Sequence, residues 1–384
     1  MTAHFISAAV FWLSCGLLVC VYVLYPLIMK AIAARAGVPV HRSEDLARVS
    51  VIITAYNEEK GLGEKLDNIL ASSCPLQLAE IIVASDASTD ATDDIARSYA
   101  RSGVRLLRVE GRQGKTACQN AAAASATGDI LVFTDATTRV DPDALRNLTA
   151  WFAAPDVGCV AGRLVYQSIS RNATGQGNEA YWDYEISLRL AESALGSLIG
   201  VSGCLYAVRR SAYRPIDPRL ISDFVISMRM REQSLRTVLA PDALCFEDTL
   251  SHSAHELPMR VRVAVRSINA LFSERKFLNP FKFGLFAWQL WLHKVLRYAS
   301  PFLWLIALAA NAILAAQERF YAFLLAAQIA VIVLGTVGFA LQSRHARLGF
   351  LWRPYYFLLT NVASLIAALR YVRGDRMVTW KPMR

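Results

Sequence analysis

The chain has 384 residues, 54% of them apolar, and a formal net charge of +10 at pH 7. That length holds one sizeable soluble domain plus a membrane part, and the basic excess lies largely beside apolar stretches and in the tail from Arg370 to Arg384, where it serves orientation and anionic headgroups. No zinc-finger or RNA-binding spacing supports a nucleic-acid partner, and the seven cysteines, scattered without CxxC pairs, exclude a disulfide framework and a zinc site.

No charged residue occurs from Phe5 to Met29, a run long enough for a bilayer core of roughly 30 Å. Met1-Thr2-Ala3-His4 lacks the basic start of a signal peptide, and Lys30, Arg35, Arg42 and Arg48 follow the run. These features predict a retained anchor, residues 1–30, with the rest of the chain starting in the cytoplasm.

Val49–Ala55 reads as an apolar strand broken at Tyr56-Asn57-Glu58-Glu59, and Glu80–Ala84 as a second strand ending at Ser85-Asp86. A helix through Tyr99, a strand near Val104–Val109, a helix from Lys115 to Ala126 and a strand from Ile130 to Asp135 follow. This alternation predicts an α/β fold with a mostly parallel, doubly wound sheet. The first strand is not followed by GxGxxG, which disfavours a dehydrogenase-type dinucleotide fold. Further strands are expected at Val157–Arg163, Leu205–Arg209, Arg236–Ala240 and Ala243–Phe246, with helices over about Asp183–Ile199 and Phe224–Leu235. Met259–Phe272 is amphipathic, with Val261, Val265, Ile268 and Phe272 on one side and Arg262 and Arg266 on another. Phe283–Tyr298 mixes tryptophans with His293, Lys294 and Arg297, as suits a helix in the interface. Spans are expected at Ala299–Ala316 and Phe320–Leu341. Phe350–Leu369, with Pro354, Thr360, Asn361 and Ser364, is expected to be in-plane or re-entrant, because a third crossing would put the basic tail outside.

Four residues carry the chemistry. Asp135 ends a strand buried on both faces, where open α/β sheets hold ligands. It is suited either to a hard cation, Mg²⁺ or Mn²⁺, shared with phosphate oxygens or to starting a turn. Asp86 is placed to accept from a base N–H or ribose hydroxyls, or to cap a helix or form an Asx turn. Lys115, in Arg112-Gln113-Gly114-Lys115-Thr116, is placed to grip a diphosphate beside free helix N–H groups, or to be solvated. Asp223 opens a helix, either as an N-cap or as a general base beside an acceptor hydroxyl.

Taken together, these stretches resemble the family 2 glycosyltransferases from about Val49 to Phe272. The membrane ends are similar to the branch of hyaluronan, chitin and cellulose synthases and ceramide glucosyltransferase-like enzymes. The resemblance implies a GT-A domain, a nucleotide-diphosphate sugar donor (UDP-sugar the expected one) and inversion at the anomeric carbon. It matches Ala55, Tyr56, Asn57 and Glu58 to the nucleotide-binding loop, Asp86 to the nucleoside aspartate, and Asp135 to the start of a metal-binding DxD. Val201–Ala207, with Gly203, matches the acceptor-site segment, and Asp223 matches the base. Three departures stand out: Thr137 replaces the second acid of DxD, Ser222 the acid before the base, and QxxRW is not intact around Arg260, Arg262 and Arg266. The broken QxxRW favours short or single additions. Arg262 and Arg266 are assigned either to the diphosphate or to lipid headgroups.

The domain reading is therefore an anchor at 1–30, a GT-A domain at 46–273, interfacial helices at 274–298 and a transmembrane region at 299–384. The expected setting is the bacterial inner membrane, multi-pass, with the catalytic domain cytoplasmic. The acceptor is a polysaccharide or lipid-linked glycan, and the surroundings are membrane lipids. Self-association and other envelope-polymer assembly proteins are left open as partners. The rival class is an inactive nucleotide-sugar-binding scaffold, for which Thr137 is the best argument.

Overall fold

The computed structural model describes residues 2–38, 40–43, 47–72, 78–167, 173–248, 256–341, 351–377 and 379. Cys74, Phe350, Lys381, Arg384 and the expected boundary at Leu46 lie outside the described residues. The chain forms two compact units, one of Met1–Ala31, Ser168–Leu188 and Thr249–Arg376, the other of Ile32–Gln167, Arg189–Asp248 and Met377–Arg384.

In chain order the described helices are α1 (Thr2–Val19), a π turn (Cys20–Leu24), α2 (Tyr25–Ala36), α3 (Leu62–Leu70), α4 (Thr92–Ser98), α5 (Lys115–Ser125), α6 (Ala144–Thr149), α7 (Ala173–Ala194), α8 (Ser222–Glu232) and α9 (Glu256–Ser273). They continue with α10 (Pro280–Phe283), α11 (Leu285–Leu290), a second π turn (Trp291–Val295), α12 (Leu296–Ala315), α13 (Arg319–Leu341) and α14 (Trp352–Val372). The strands are β1 (Val49–Ala55), β2 (Leu78–Asp86), β3 (Val104–Val109), β4 (Ile130–Asp135), β5 (Arg139–Val140), β6 (Val157–Gln167), β7 (Leu205–Arg209) and β8 (Arg236–Asp248).

One eight-stranded sheet organises the second unit, in the order β3-β2-β1-β4-β7-β6-β8-β5. All seven residues of β1 are buried, as are Ile130–Phe133 of β4, because helices cover both faces of a parallel core. The pairs β1–β2, β1–β4, β2–β3 and β6–β8 are parallel, whereas β4–β7, β6–β7 and β5–β8 are antiparallel. The first half of the sheet is thus wound as the strand–helix alternation predicts, and the second half is mixed. Register sets Ala55 beside Ser85 and Thr54 beside Asp135. The carboxyl ends of β2, β1 and β4 therefore lie side by side, the edge at which such sheets bind ligands.

Several boundaries differ from expectation for identifiable reasons. Helix α7 ends at Ala194, not Ile199, because the Leu198 N–H pairs with the Thr237 carbonyl at 2.8 Å, which buries Leu198 and Ile199 from a loop. Helix α8 stops at Glu232, short of Leu235, where Ser234 adopts a positive φ of 60°. The two short strands expected near Arg236 and Phe246 are one strand, whose pairing with β6 jumps from Ala161↔Leu239 to Arg163↔Leu244. Pro241 falls in that irregularity, where a missing N–H is tolerated. On α9, Val261, Val265 and Ile268 are buried but Phe272 is exposed, stacked on Tyr371.

In the first unit, four helices are long and apolar enough to cross a membrane: Ala3–Ala36, Leu285–Ala315, Arg319–Leu341 and Trp352–Val372. Phe283–Tyr298, read as an interface helix, is largely continuous with the following span, so His293, Lys294 and Arg297 sit within one long helix. Of the two readings of the last apolar segment the re-entrant one is corrected, because α14 runs unbroken; an unbroken helix accords equally with the in-plane one. Pro354 occupies its first turn, where no intrahelical N–H bond is lost. The polar residues of this segment are satisfied inside the helix: Thr360 Oγ1 donates to the Tyr356 carbonyl (3.1 Å), Asn361 Nδ2 to that of Phe357 (2.8 Å) and Ser364 Oγ to that of Thr360 (2.9 Å).

Two charged residues of the long helix Leu285–Ala315 are paired with a carboxylate on α7. Glu185 on α7 meets His293 Nε2 at 2.8 Å and accepts from Arg297 Nη1 at 2.9 Å. The Tyr184 hydroxyl donates to the Tyr22 carbonyl (3.1 Å) in the first π turn, and Tyr22 and Ser300 share a hydroxyl contact of 3.1 Å. Ser300 in turn donates to Asn361 Oδ1 at 2.9 Å. Both π turns contribute to this network, and widened turns of that kind release carbonyls and redirect side chains. Removing the shared carboxylate by Glu185→Ala is expected to destabilise the unit by roughly 3 kcal/mol. The check is the thermal unfolding midpoint in detergent, with Glu185→Gln falling in between.

Candidate active site

The strand ends deliver the site. β1 ends at Ala55, and Tyr56-Asn57-Glu58 turns away with Asn57 at φ 52°, while β2 ends at Asp86 with Ala87 at φ 56°. Positive φ at non-glycine residues costs energy and persists where surroundings enforce it. Here the two loops knit together. The Asn57 N–H donates to Ser88 Oγ (3.2 Å), the Thr89 N–H to Asn57 Oδ1 (2.9 Å), and the Glu58 N–H to Thr92 Oγ1 (2.8 Å).

Asp86 is fully buried and caps no helix. Its Oδ1 accepts from the Gln113 N–H (2.8 Å) and the Gly114 N–H (3.2 Å), and its Oδ2 from Arg112 Nε (3.1 Å). Arg112 also lies over the Tyr56 ring, 3.1 Å from its centroid. Asp86, Arg112 and Tyr56 thereby form one stack. Sequence reasoning named Asp86 and Tyr56 but missed Arg112, although it stands three residues before Lys115.

Holding the 112–114 loop against Asp86 fixes the start of α5. Gly114 precedes that helix at φ 91°, a conformation that suits glycine, and Lys115 is its first residue. The Lys115 ammonium forms an ion pair with Asp135 and reaches the Gly203 carbonyl at 3.4 Å. Burial alone would lower its pKa, but the charges of Asp135 and then Asp223 outweigh it, so the group stays above the usual lysine value and remains a cation.

Asp223 sits in the first turn of α8, behind Ile221 and Ser222, and its carbonyl accepts from the Val201 N–H at 2.8 Å. It is not an N-cap. The segment leading to it is tied down by α5, with Thr116 Oγ1 donating to the Leu220 carbonyl (2.8 Å) and Asn120 Nδ2 to that of Ile216 (2.7 Å). Gly203 lies between the charges. A Cβ placed there would stand 2.9 Å from both Asp223 Oδ2 and Lys115 Nζ. Asp135, Lys115, Gly203 and Asp223 thus share one cleft, and Asp86 borders it through the 112–114 loop. Arg262 and Arg266 lie on α9 in the other unit, Arg266 buried and Arg262 partly so.

Beneath the Asp135 turn, Lys65 of α3 is buried, and that burial pushes its pKa down to about 7 despite the opposing charge of Asp135. Among the described residues no group of three His, Cys, Asp or Glu side chains could hold a metal ion. Asp135 is nevertheless a hard oxygen donor at a strand end with a side-chain exposure of 29%. A lone carboxylate fits a Mg²⁺ or Mn²⁺ ion that takes its other ligands from a diphosphate and water, as hard ions at phosphate sites do. Thr137, exposed in the same turn, adds a hydroxyl.

This chain is similar to several known proteins. An N-acetylglucosaminyltransferase of Azorhizobium caulinodans is 33% identical over 177 residues, 44% of each chain. A beta-monoglucosyldiacylglycerol synthase of Synechocystis is 28% identical over 160 residues, 40% of this chain and 33% of that protein. The chain therefore matches less than half the length of these curated relatives. Among solved structures, a mannosyltransferase of Pyrobaculum calidifontis in complex with GDP-Man and Mn²⁺ aligns with a TM-score of 0.71 and 25% identity, over 95% of this chain and 99% of that one.

The closeness of Gly203 to both charges yields a prediction. Gly203→Ala is expected to displace Lys115 or Asp223 and to weaken nucleoside-diphosphate binding by about tenfold or more, read by isothermal titration, with little change in unfolding midpoint. The family description Glycosyl transferase family 2 matches residues 50–216; with the sheet order and strand-end cleft described above, this chain carries a family 2 glycosyl transferase domain of the GT-A fold.

Proposed function

We propose that the protein transfers a sugar, with inversion, from a nucleoside-diphosphate sugar to a hydroxyl of a polysaccharide or lipid-linked acceptor at the membrane. The observation that carries this reading is the meeting of Asp223, Lys115 and Asp135 at Gly203. The synthase of Synechocystis, named for a glycolipid product, and the four span-capable helices support an acceptor held at a bilayer.

Each residue has a distinct task. Asp223 accepts the proton of the acceptor hydroxyl, a poor nucleophile until that proton is taken. A single base on the face opposite the leaving group gives one displacement and hence inversion. Lys115 places a cation where the leaving diphosphate gathers charge, and the nearby N-terminus of α5 adds to the same field. Tyr56, Asp86 and Arg112 form the wall for the nucleoside, with Asn57 and Glu58 fixing its loop and Gly203 leaving room for the reacting sugar. A Mg²⁺ or Mn²⁺ ion held by Asp135 and the diphosphate would supply further neutralisation of the leaving group. Arg262 and Arg266 are assigned to the diphosphate or to lipid headgroups, and the incomplete QxxRW favours short or single additions. The setting that accords with this role is a bacterial inner membrane with the sheet unit cytoplasmic.

Two experiments test the reading. Asp223→Asn is expected to lower sugar transfer by about 10³-fold while leaving the donor-induced thermal shift intact. No transfer by wild type above the background shared with the variant would point instead to an inactive nucleotide-sugar-binding scaffold. Screening UDP-, GDP- and dTDP-sugars with and without Mn²⁺ identifies the donor through stabilisation by binding. Asp135→Ala is expected to abolish the Mn²⁺-dependent part of that shift, and an unchanged shift would remove Asp135 from the metal site.

A further inference from the structure

The mechanism leaves one buried amine unused. Lys65 is 3% exposed, and its Nζ donates to Thr134 Oγ1 at 2.9 Å and to the Thr138 carbonyl at 2.5 Å. These two residues bracket the turn that carries Asp135. Thr134 passes the tie onward, its hydroxyl donating to the Cys204 carbonyl at 2.8 Å, next to Gly203. One turn further along α3, Asn68 holds the far stem of the same turn, accepting from the Val140 N–H at 2.8 Å and donating to the Val140 carbonyl at 2.9 Å.

The rest of that helix face is Leu62, Leu66 and Ile69, all fully buried. An aliphatic side chain at position 65 would complete the apolar layer, whereas a buried amine is costly unless its hydrogen bonds are made. Both bonds here go to one short segment, and both survive loss of the charge, since an amine keeps two N–H donors. Geometry therefore carries the role. Thr137, on the open side of the turn, brings no second carboxylate, so the aim of Asp135 depends on how firmly its turn is held from behind.

We propose that Lys65 is a positioning residue that fixes the Asp135 turn, and through Thr134 the Gly203 segment, in the geometry that receives a metal-bound diphosphate. This rests on the donor-binding reading above. Groups that orient metal ligands from behind typically contribute about 10- to 100-fold in metal affinity.

The test uses the full chain in detergent and measures UDP and GDP binding as a function of Mn²⁺ by isothermal titration and thermal shift. Lys65→Met, which keeps length and removes the donors, is expected to raise the Mn²⁺ concentration for half-maximal nucleotide binding by about 10-fold or more. Thr134→Val should raise it by a smaller factor, and the double variant should be no worse than Lys65→Met, because the two act through one tie. A Lys65→Met protein with a lowered unfolding midpoint but an unchanged Mn²⁺ midpoint would make Lys65 merely structural and overturn the proposal, as would additive effects of the two substitutions. Should Lys65→Met not fold, an unchanged Mn²⁺ midpoint in Thr134→Val would overturn it. Failure of wild type to bind either diphosphate with Mn²⁺ would overturn the donor-binding reading itself, a result distinct from any difference among variants.

Discussion

Two carboxylates face one ammonium. Asp135 and Asp223 arrive from different parts of the chain, one at the end of a parallel strand and the other in the first turn of α8. Their charges together hold Lys115 protonated against the desolvation that burial imposes. Remove the cation and the cleft would keep two carboxyl groups without the charge that offsets them. In the proposed reaction Lys115 thus offsets the charge of Asp223 even before any phosphate arrives. The same cation is the group a diphosphate would recruit. In the proposed function a donor diphosphate would add negative charge to the cleft, which Lys115 and a metal ion at Asp135 would offset.

The half of the site that rests on buried parallel strands was legible in the sequence. Uninterrupted apolar runs at Val49–Ala55 and Ile130–Phe133 can satisfy both sides of a sheet only in its interior, so the residues that end them had to lie at the ligand edge. Lys115 and Asp223 were readable as helix starts for a similar reason. What could not be read was sideways contact. Nothing in spacing announces that Arg112 lies on Tyr56, or that Lys65 turns inward; lysines at that frequency in a helix are usually solvated. The mixed half of the sheet was harder still. Its pairing depends on where β7 runs back beside β4, and an antiparallel insertion leaves the alternation of apolar runs unchanged.

In the unit with the span-capable helices, continuous helix runs through charge and proline, both of which are tolerated when partners are supplied. His293 and Arg297 are matched by Glu185, which lies far away in sequence on α7. Thr360, Asn361 and Ser364 return their hydrogen bonds to carbonyls one turn back. A window along one segment sees the cost of each polar group, while the group that offsets it belongs to another segment.

The treatment of Asp86 alters what its presence implies. An acid at that strand end is commonly expected to meet the nucleoside directly, yet here its oxygens already accept from Gln113, Gly114 and Arg112. Those bonds anchor the loop that starts α5 and so set where Lys115 stands. A carboxylate has about four acceptor positions, which leaves room for a nucleoside donor without giving up the backbone bonds, provided the Arg112 guanidinium yields its place. Asp86 is then a residue with two duties, and loss of its side chain would disturb the phosphate end of the cleft as well as the base end. The link runs through three consecutive residues, Arg112 to Gly114, so in the proposed function one loop would meet both the nucleoside and the leaving diphosphate.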